Sequence, residues 1–254
     1  MKKIFLLAIA AFMFTTGMQA QIVRSQSTSI QREKTPSNTQ WYMRLGVGLA
    51  KWTGDDADDY AASVLDDEDA KIKSKAGYDF MFGFHKPIGN SSLYWGMEFG
   101  LGSRGYKVNG KWTEDYYVKA NGEYTEKLTA HNIKIVPFQL GYKVDLGHDI
   151  SIDPHLGVFV SADYTGKLSW KDEGVEDGDK FKEEDDYNIS DFSFTNEDGD
   201  EVDYQRVDVG LQVGVGVWFK NFNLDFTYQR GFMPVWTDTK LYNSQFMIRV
   251  GFGF

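Results

Sequence analysis

Arg206-Val207-Asp208-Val209-Gly210-Leu211-Gln212-Val213-Gly214-Val215-Gly216-Val217-Trp218-Phe219 decides the fold of this chain. Every odd position from Val207 to Phe219 is large and apolar, whereas the even positions from Arg206 to Gly216 are charged, amide or glycine. A period of two belongs to an extended strand, whose successive side chains point to opposite faces. One face of this strand is greasy and the other is small or polar.

The same alternation recurs on both sides of this stretch. Upstream, Trp41, Met43, Leu45, Val47 and Leu49 oppose Tyr42, Arg44, Gly46, Gly48 and Ala50, and Tyr78, Phe80, Phe82 and Phe84 oppose Asp79, Met81, Gly83 and His85. Leu93 to Leu101, Asn132 to Val144 and Ile150 to Tyr164 follow the same rule. The fourth segment slips phase at Val136-Pro137, where a β-bulge accommodates both the extra residue and the proline. Downstream come Phe222 to Gln229 and Gln245 to Phe254. Short breaks fall at 86–91, 145–149 and 220–221, and long ones at 53–73, 107–131, 167–203 and 233–243. This layout predicts an all-β chain: an eight-stranded antiparallel up-and-down transmembrane β-barrel with short periplasmic turns and long extracellular loops.

Composition agrees once it is sorted by position. The 254 residues carry a net charge of −10, 26 glycines, 16% aromatics and no cysteine. An acidic chain lacks the basic face that nucleic-acid phosphates require, and without cysteine there are no disulfides, thiolate metal sites or thiol nucleophiles. The mean hydropathy of −0.43 argues against a helical membrane protein but not against a barrel, which offers only half of each strand to lipid.

Residues 1–20 read as a secretory signal peptide. Lys2 and Lys3 precede an apolar run from Ile4 to Phe14, too short to span a bilayer, and cleavage is expected near Ala20. Residues 21–40, rich in Ser, Gln and Thr, read as a flexible periplasmic tail, leaving 41–254 as the barrel domain. A soluble barrel would turn its apolar face inward. Here that face is uniformly large, while the opposite one mixes glycine with charge and so fits a narrow lumen. Aromatics at strand ends suggest two interfacial girdles: Trp41, Trp95, Tyr142, Phe219, Phe222 and Phe254 at the short-turn end, and Trp52, Tyr106, Tyr164 and Phe232 at the other.

The inward faces carry Arg44, Arg104, Lys134, Lys143, Arg206 and Arg249 against Asp79, Glu98, Asp153, Asp163, Asp208 and Asp225. Confined charges must pair. The expectation is therefore a lumen closed by ion pairs, with Gln139, Gln212, Gln229 and His155 completing the hydrogen bonds. A narrow channel is the alternative.

Of the 37 acids, 23 lie in the breaks 53–73 and 167–203, which suggests a binding or shielding surface. Asn196 to Glu201 has oxygen donors at alternate positions but lacks the glycine and the closing glutamate of a calcium loop. Asp198 and Asp200 are the nearest approach to a metal site, and no metal or cofactor is expected. Asn121-Gly122 is a hairpin-turn signal that extends the third and fourth strands. None of His85, His131, His148 and His155 stands in a Ser-His or Asp-His spacing, so no enzyme is expected.

The stretch Asn132-Ile133-Lys134-Ile135-Val136-Pro137-Phe138-Gln139-Leu140-Gly141-Tyr142, the Tyr-x-x-Gly strand end within Leu224 to Gly231, and the closing Phe246 to Phe254 together resemble the Bacteroidetes outer-membrane β-barrel family that includes PorT-like proteins. The resemblance implies an integral outer-membrane location in contact with lipid and lipopolysaccharide. It also implies that Phe254 is a signal to the barrel assembly machinery, and offers a role beside secretion-system or envelope proteins as a second alternative.

Overall fold

Alternation becomes a closed sheet because each apolar face shares one side of the backbone with its neighbours' apolar faces. The computed structural model of the chain describes residues 39–65, 70–114, 120–188, 193–195, 201–237 and 239–254, all within the unit Ser37–Phe254. The expected leader and all of the expected tail before residue 39 lie outside the described residues.

The strands are β1 (Gln40–Thr53), β2 (Lys75–Pro87), β3 (Leu93–Glu114), β4 (Ala120–Tyr142), β5 (Val144–Gly147), β6 (Ile150–Glu176), β7 (Asp179–Asn188), β8 (Ser193–Thr195), β9 (Glu201–Asp203), β10 (Val207–Phe219), β11 (Phe222–Pro234) and β12 (Tyr242–Gly253), with a helix α1 at Ala57–Leu65. β8 and β9 pair only with each other; the other ten strands form one antiparallel sheet in the order β10-β11-β12-β1-β2-β3-β4-β6-β5, with β7 on the side of β6. The further pairing of β10 with β6 closes that sheet into a barrel, with β5 and β7 outside the closed circuit.

Parity sorts the side chains radially. Met43, Leu45, Val47 and Leu49 on β1, Phe99 and Leu101 on β3, and Phe246, Ile248 and Val250 on β12 are exposed on the outside, whereas Arg44, Asp79, Glu98, Gln212, Asp225 and Arg249 are buried inside. The phase slip in β4 is a bulge: the register shifts between Ile135 and Phe138 against β6, and between Gly96 and Glu98 against β3. Pro137, which has no N–H to offer the ladder, faces out there beside Phe138.

Three expectations are corrected. The breaks at 107–131 and 167–203 are in large part strand: β3 and β4 stay paired as far as Glu114 and Ala120, and β6 runs to Glu176 before β7 returns along it. Asn121 and Gly122 lie inside β4, opposite Thr113 and Trp112. The Asp-Gly turn falls instead at Asp177-Gly178, where both residues have positive φ (50° and 93°), the geometry of a two-residue hairpin loop. Finally, the first long break holds α1, so the chain is not purely β. Ala57, Tyr60, Ala61, Val64 and Leu65 recur at helical spacing and pack on one apolar cluster.

Candidate functional site

The lumen is filled from side chains whose reach is set by their neighbours in register. Arg249 on β12 lies opposite Gly46 on β1, and Gly46 lies opposite Asp79 on β2. The glycine leaves room for the guanidinium to pass over β1, and its Nη1 donates to Asp79 Oδ1 at 3.3 Å. The same Arg249 donates through Nε to Asp225 Oδ1 (2.8 Å) and through Nη2 to Thr227 Oγ1 (2.8 Å). Lys134 Nζ donates to the other oxygen of Asp79 at 2.7 Å.

Arg44 donates through Nη1 to Glu98 Oε1 (2.7 Å) and through Nε to Asn223 Oδ1 (2.8 Å), and stands 3.6 Å from Asp225 Oδ2. Tyr42 donates to the same Glu98 oxygen at 2.8 Å, reaching over Gly83. Towards the short turns, Asp153 accepts from Tyr94 and from the Trp218 indole (3.1 Å), with His85 3.9 Å away.

An amide row crosses the same space. Gln229 donates to Gln212 (2.8 Å) and Gln212 to Gln139 (3.1 Å), the last reach passing over Gly157 on β6. His155 adds Nε2 beside Thr227 Oγ1 at 3.3 Å.

A second cluster sits nearer the long connections. Arg104 contacts Asp163 (2.9 Å) and Asp208 (2.9 Å), Tyr204 donates to Asp163 (2.7 Å), and Asn243 donates to Asp208 (3.3 Å). Between the two clusters is a cavity of about 10 Å³ lined by Arg104, Asn132, Lys134, Asp208 and Gln229, among others. That is room for about one water molecule, and Asn132 Oδ1, which lacks a protein hydrogen bond, is buried beside it.

Ten of the twelve charged residues placed inside from the sequence therefore meet in these two clusters. The other two do not. Arg206 precedes the first ladder residue of β10 and is exposed. Lys143 follows β4, is half-buried at the short-turn mouth, donates to Gln40 Oε1 (3.3 Å) and lies over the Trp218 ring. Phe254 is exposed beside Trp41, with which it exchanges backbone hydrogen bonds. Asp198 and Asp200 lie outside the described residues.

Above the lumen is an apolar cap. Trp52 and Tyr106, assigned to a lipid-facing girdle from their position at strand ends, instead point inward and are buried with Leu128, Leu168, Val235, Trp236 and Leu241 under α1. Each continues the inward parity of its strand. Tyr60 from α1 and Tyr106 both donate to Glu126 Oε1, at 3.1 and 2.5 Å. Burial and the Glu126 charge push the Tyr60 phenol well above its ordinary value. Tyr164 and Phe232 do face outward.

Beyond the cap, β3, β4, β6 and β7 continue as a four-stranded sheet. Its β7 strand, Asp-Lys-Phe-Lys-Glu-Glu-Asp-Asp-Tyr-Asn, is exposed except for a half-buried Phe181. Ion pairs there are at the surface: Lys182 with Glu184 (2.7 Å) and Lys167 with Asp186. Such pairs contribute little, about 0–1 kcal/mol.

A family model described as outer membrane protein beta-barrel domain matches residues 19–236. Among curated proteins nothing matches. Among solved structures, the fold is similar to Ail, the attachment invasion locus protein of Yersinia pestis, at 11% identity and a TM-score of 0.32, covering 85% of this chain and 99% of that one. Neisserial surface protein A is similar at 14% identity and a TM-score of 0.34, with 84% and 97% covered. The COG4313 outer membrane channel of Pseudomonas putida F1 is similar at 9% identity and a TM-score of 0.26, with 90% and 100% covered. None of these three reaches a TM-score of 0.5, and no functional residue is carried over from them.

Proposed function

The chain belongs to the outer membrane protein β-barrel domain family, and from that membership we propose a non-enzymatic, integral outer-membrane protein. In this reading the barrel is an anchor with a closed lumen, and the acidic sheet above it is the working surface. The strands of the closed circuit cross the membrane as an eight-stranded up-and-down barrel. Their short turns face the periplasm, and the long connections stand outside the cell. Residues 1–20 are removed near Ala20, 21–40 form a periplasmic tail, and Phe254 serves the assembly machinery.

One observation carries this reading: the sheet outlasts the membrane. β6 is 27 residues long, whereas a tilted strand crosses in about 10. The surplus, paired with an almost wholly exposed acidic β7, buries little and so is built to be met by something else. A cationic partner fits its charge. The test is binding of a lysine-rich peptide to the barrel in nanodiscs, with and without neutralisation of Glu183, Glu184, Asp185 and Asp186 to the amides. Salt-sensitive binding lost in the neutralised form supports the reading; equal binding by both forms overturns it.

The narrow channel is the second reading; the ion-paired interior around Arg44 and Arg249 favours a closed lumen, for which planar-bilayer recordings should show no unitary conductance. The PorT-like likeness adds a separate proposal, a place in secretion or envelope assembly. It rests on the stretches Asn132 to Tyr142, Leu224 to Gly231 and Phe246 to Phe254, and co-purification of other envelope proteins with the tagged barrel is its test.

A further inference from the structure

Three lysines gather on the side of the barrel where β2, β3 and β4 leave the apolar belt. Lys73 and Lys107 lie opposite each other and exchange backbone hydrogen bonds of 2.7 and 3.2 Å. Lys107 in turn lies opposite Lys127. Their chain neighbours Ile72, Tyr106, Val108 and Leu128 pack into the cap, so these three lysines project from the other side of the sheet, away from the cap.

Among the described residues none of the three has an ion-pair partner. Asp186 feels the Lys127 charge, but its carboxylate is already engaged by Lys167. In a chain of net charge −10, a local group of cations with no ion-pair partner among the described residues is suited to an anion from outside.

The height of the group says where that anion lies. Directly below, in one row across β2, β4 and β6, come Tyr78, His131 and Tyr164. The Tyr78 hydroxyl is 3.1 Å from His131 Nδ1, the Tyr78 and His131 rings stack at 5.7 Å, and Tyr164 follows at 6.4 Å. Below this row the outside is Phe80, Leu101 and Ile133. Amphipathic rings above an aliphatic belt sit at the headgroup level of a bilayer, and the lysines stand four to five residues further out along their strands, on the phosphate side of that row.

We propose that Lys73, Lys107 and Lys127, above the Tyr78–His131–Tyr164 row, bind the phosphorylated headgroup of a lipid in the outer leaflet. This rests on the membrane-barrel reading above. Binding of this kind is electrostatic and is worth about five-fold in affinity per lysine, falling as salt rises.

The test uses the full-length barrel in phosphatidylcholine nanodiscs doped with diphosphorylated lipid A, with retained lipid A counted by native mass spectrometry. Lys73→Gln/Lys107→Gln/Lys127→Gln should lower lipid A affinity about a hundred-fold, and the same three positions changed to Arg should restore it. Lys171→Gln/Lys180→Gln/Lys182→Gln, which carries the same charge change higher on the sheet, should bind as the wild type does. Wild-type affinity in the first variant, or an equal loss in the control, overturns the proposal. Where the triple variant does not insert, Lys127→Gln alone should show the five-fold step, and no step there overturns it too. Unheated gel migration of the same samples reports separately on the barrel: a wild-type chain that fails to migrate as a folded barrel defeats the membrane reading rather than the lipid site.

Discussion

Arg249 and Asp79 meet across a strand that neither belongs to: Gly46 stands between them in register, and the guanidinium reaches over it to the carboxylate at 3.3 Å. Tyr42 reaches Glu98 over Gly83, and Gln212 reaches Gln139 over Gly157, in the same manner. Glycine inside this barrel is therefore the gap that lets polar groups two strands apart join. The larger cluster, around Arg44 and Arg249, is one connected network because these gaps let its members reach across intervening strands.

Gly46→Ala tests that role. A Cβ at this position would stand 2.7 Å from Arg249 Cγ and press on the backbone of β12. Overpacking of this kind costs about 1–3 kcal/mol, and here it also displaces Arg249 from Asp79. The folded band on unheated gels should be lost at a lower temperature than in the wild type. An unchanged transition would mean that Arg249 has a second rotamer able to serve Asp79.

The two charge clusters should behave as separate units. Removing one partner of a buried pair leaves an unpaired charge and costs about 3–5 kcal/mol. Asp225→Ala combined with Arg249→Ala should cost much less than the sum of the single changes, because the two are directly paired at 2.6 Å. Asp225→Ala combined with Arg104→Ala should be additive to within about 0.5 kcal/mol. Denaturant unfolding in detergent of the three single and two double variants, beside the wild type, measures both couplings. A strong coupling between Asp225 and Arg104 would show that the water-sized cavity between the clusters transmits interaction.

Most of this interior was legible in the sequence, because strand parity is a local property and a closed barrel has one inside. Parity fails where the ladder ends: Arg206 lies one residue before β10 and turns to solvent. Trp52 and Tyr106 carried the right signal, since both continue the inward parity of their strands, but position at a strand end suggested lipid instead. The helix was present as Ala57, Tyr60, Ala61, Val64 and Leu65 at helical spacing, obscured by the flanking Asp55, Asp56, Asp58 and Asp59. The four-stranded extension was masked by charge. β7 alternates no apolar residues, and only its pairing with β6 makes it a strand.

Alkali should open the cap before it opens the barrel. The Tyr60 phenol is raised by burial and by Glu126, so its neutral form is the one the folded cap favours. That contribution is fully present below the ordinary tyrosine value of about 10 and is lost as the pH climbs through the raised one. Trp52, whose ring centroid lies 5.4 Å from that of Tyr60, should change its fluorescence only above about pH 10, while unheated gel migration remains that of the folded barrel. Tyr60→Phe should remove this alkaline step at the cost of the hydroxyl's hydrogen bonds with Glu126 and Tyr106, about 0.5–1.5 kcal/mol each. A fluorescence change that persists in Tyr60→Phe would assign the step to another group.

The hairpin above the membrane should yield to a change that leaves the barrel untouched. Asp177 and Gly178 both have positive φ, and Gly178 at 93° lies where a β-branched side chain is strained by roughly 1–2 kcal/mol. β7 pairs with β6 alone, so it has no second neighbour to hold it when the turn is strained. Gly178→Val should therefore loosen β7 from β6 and expose Lys180 and Lys182 to trypsin, while β6 stays in place because β4 pairs with it along its other edge as far as Glu176. Limited trypsin digestion should cut the variant first at those two lysines, with the heat-resistant folded band unchanged. If the barrel's thermal transition fell together with the new cleavage, the extension and the barrel would be one cooperative unit, and the acidic sheet would be a structural brace as well as a surface.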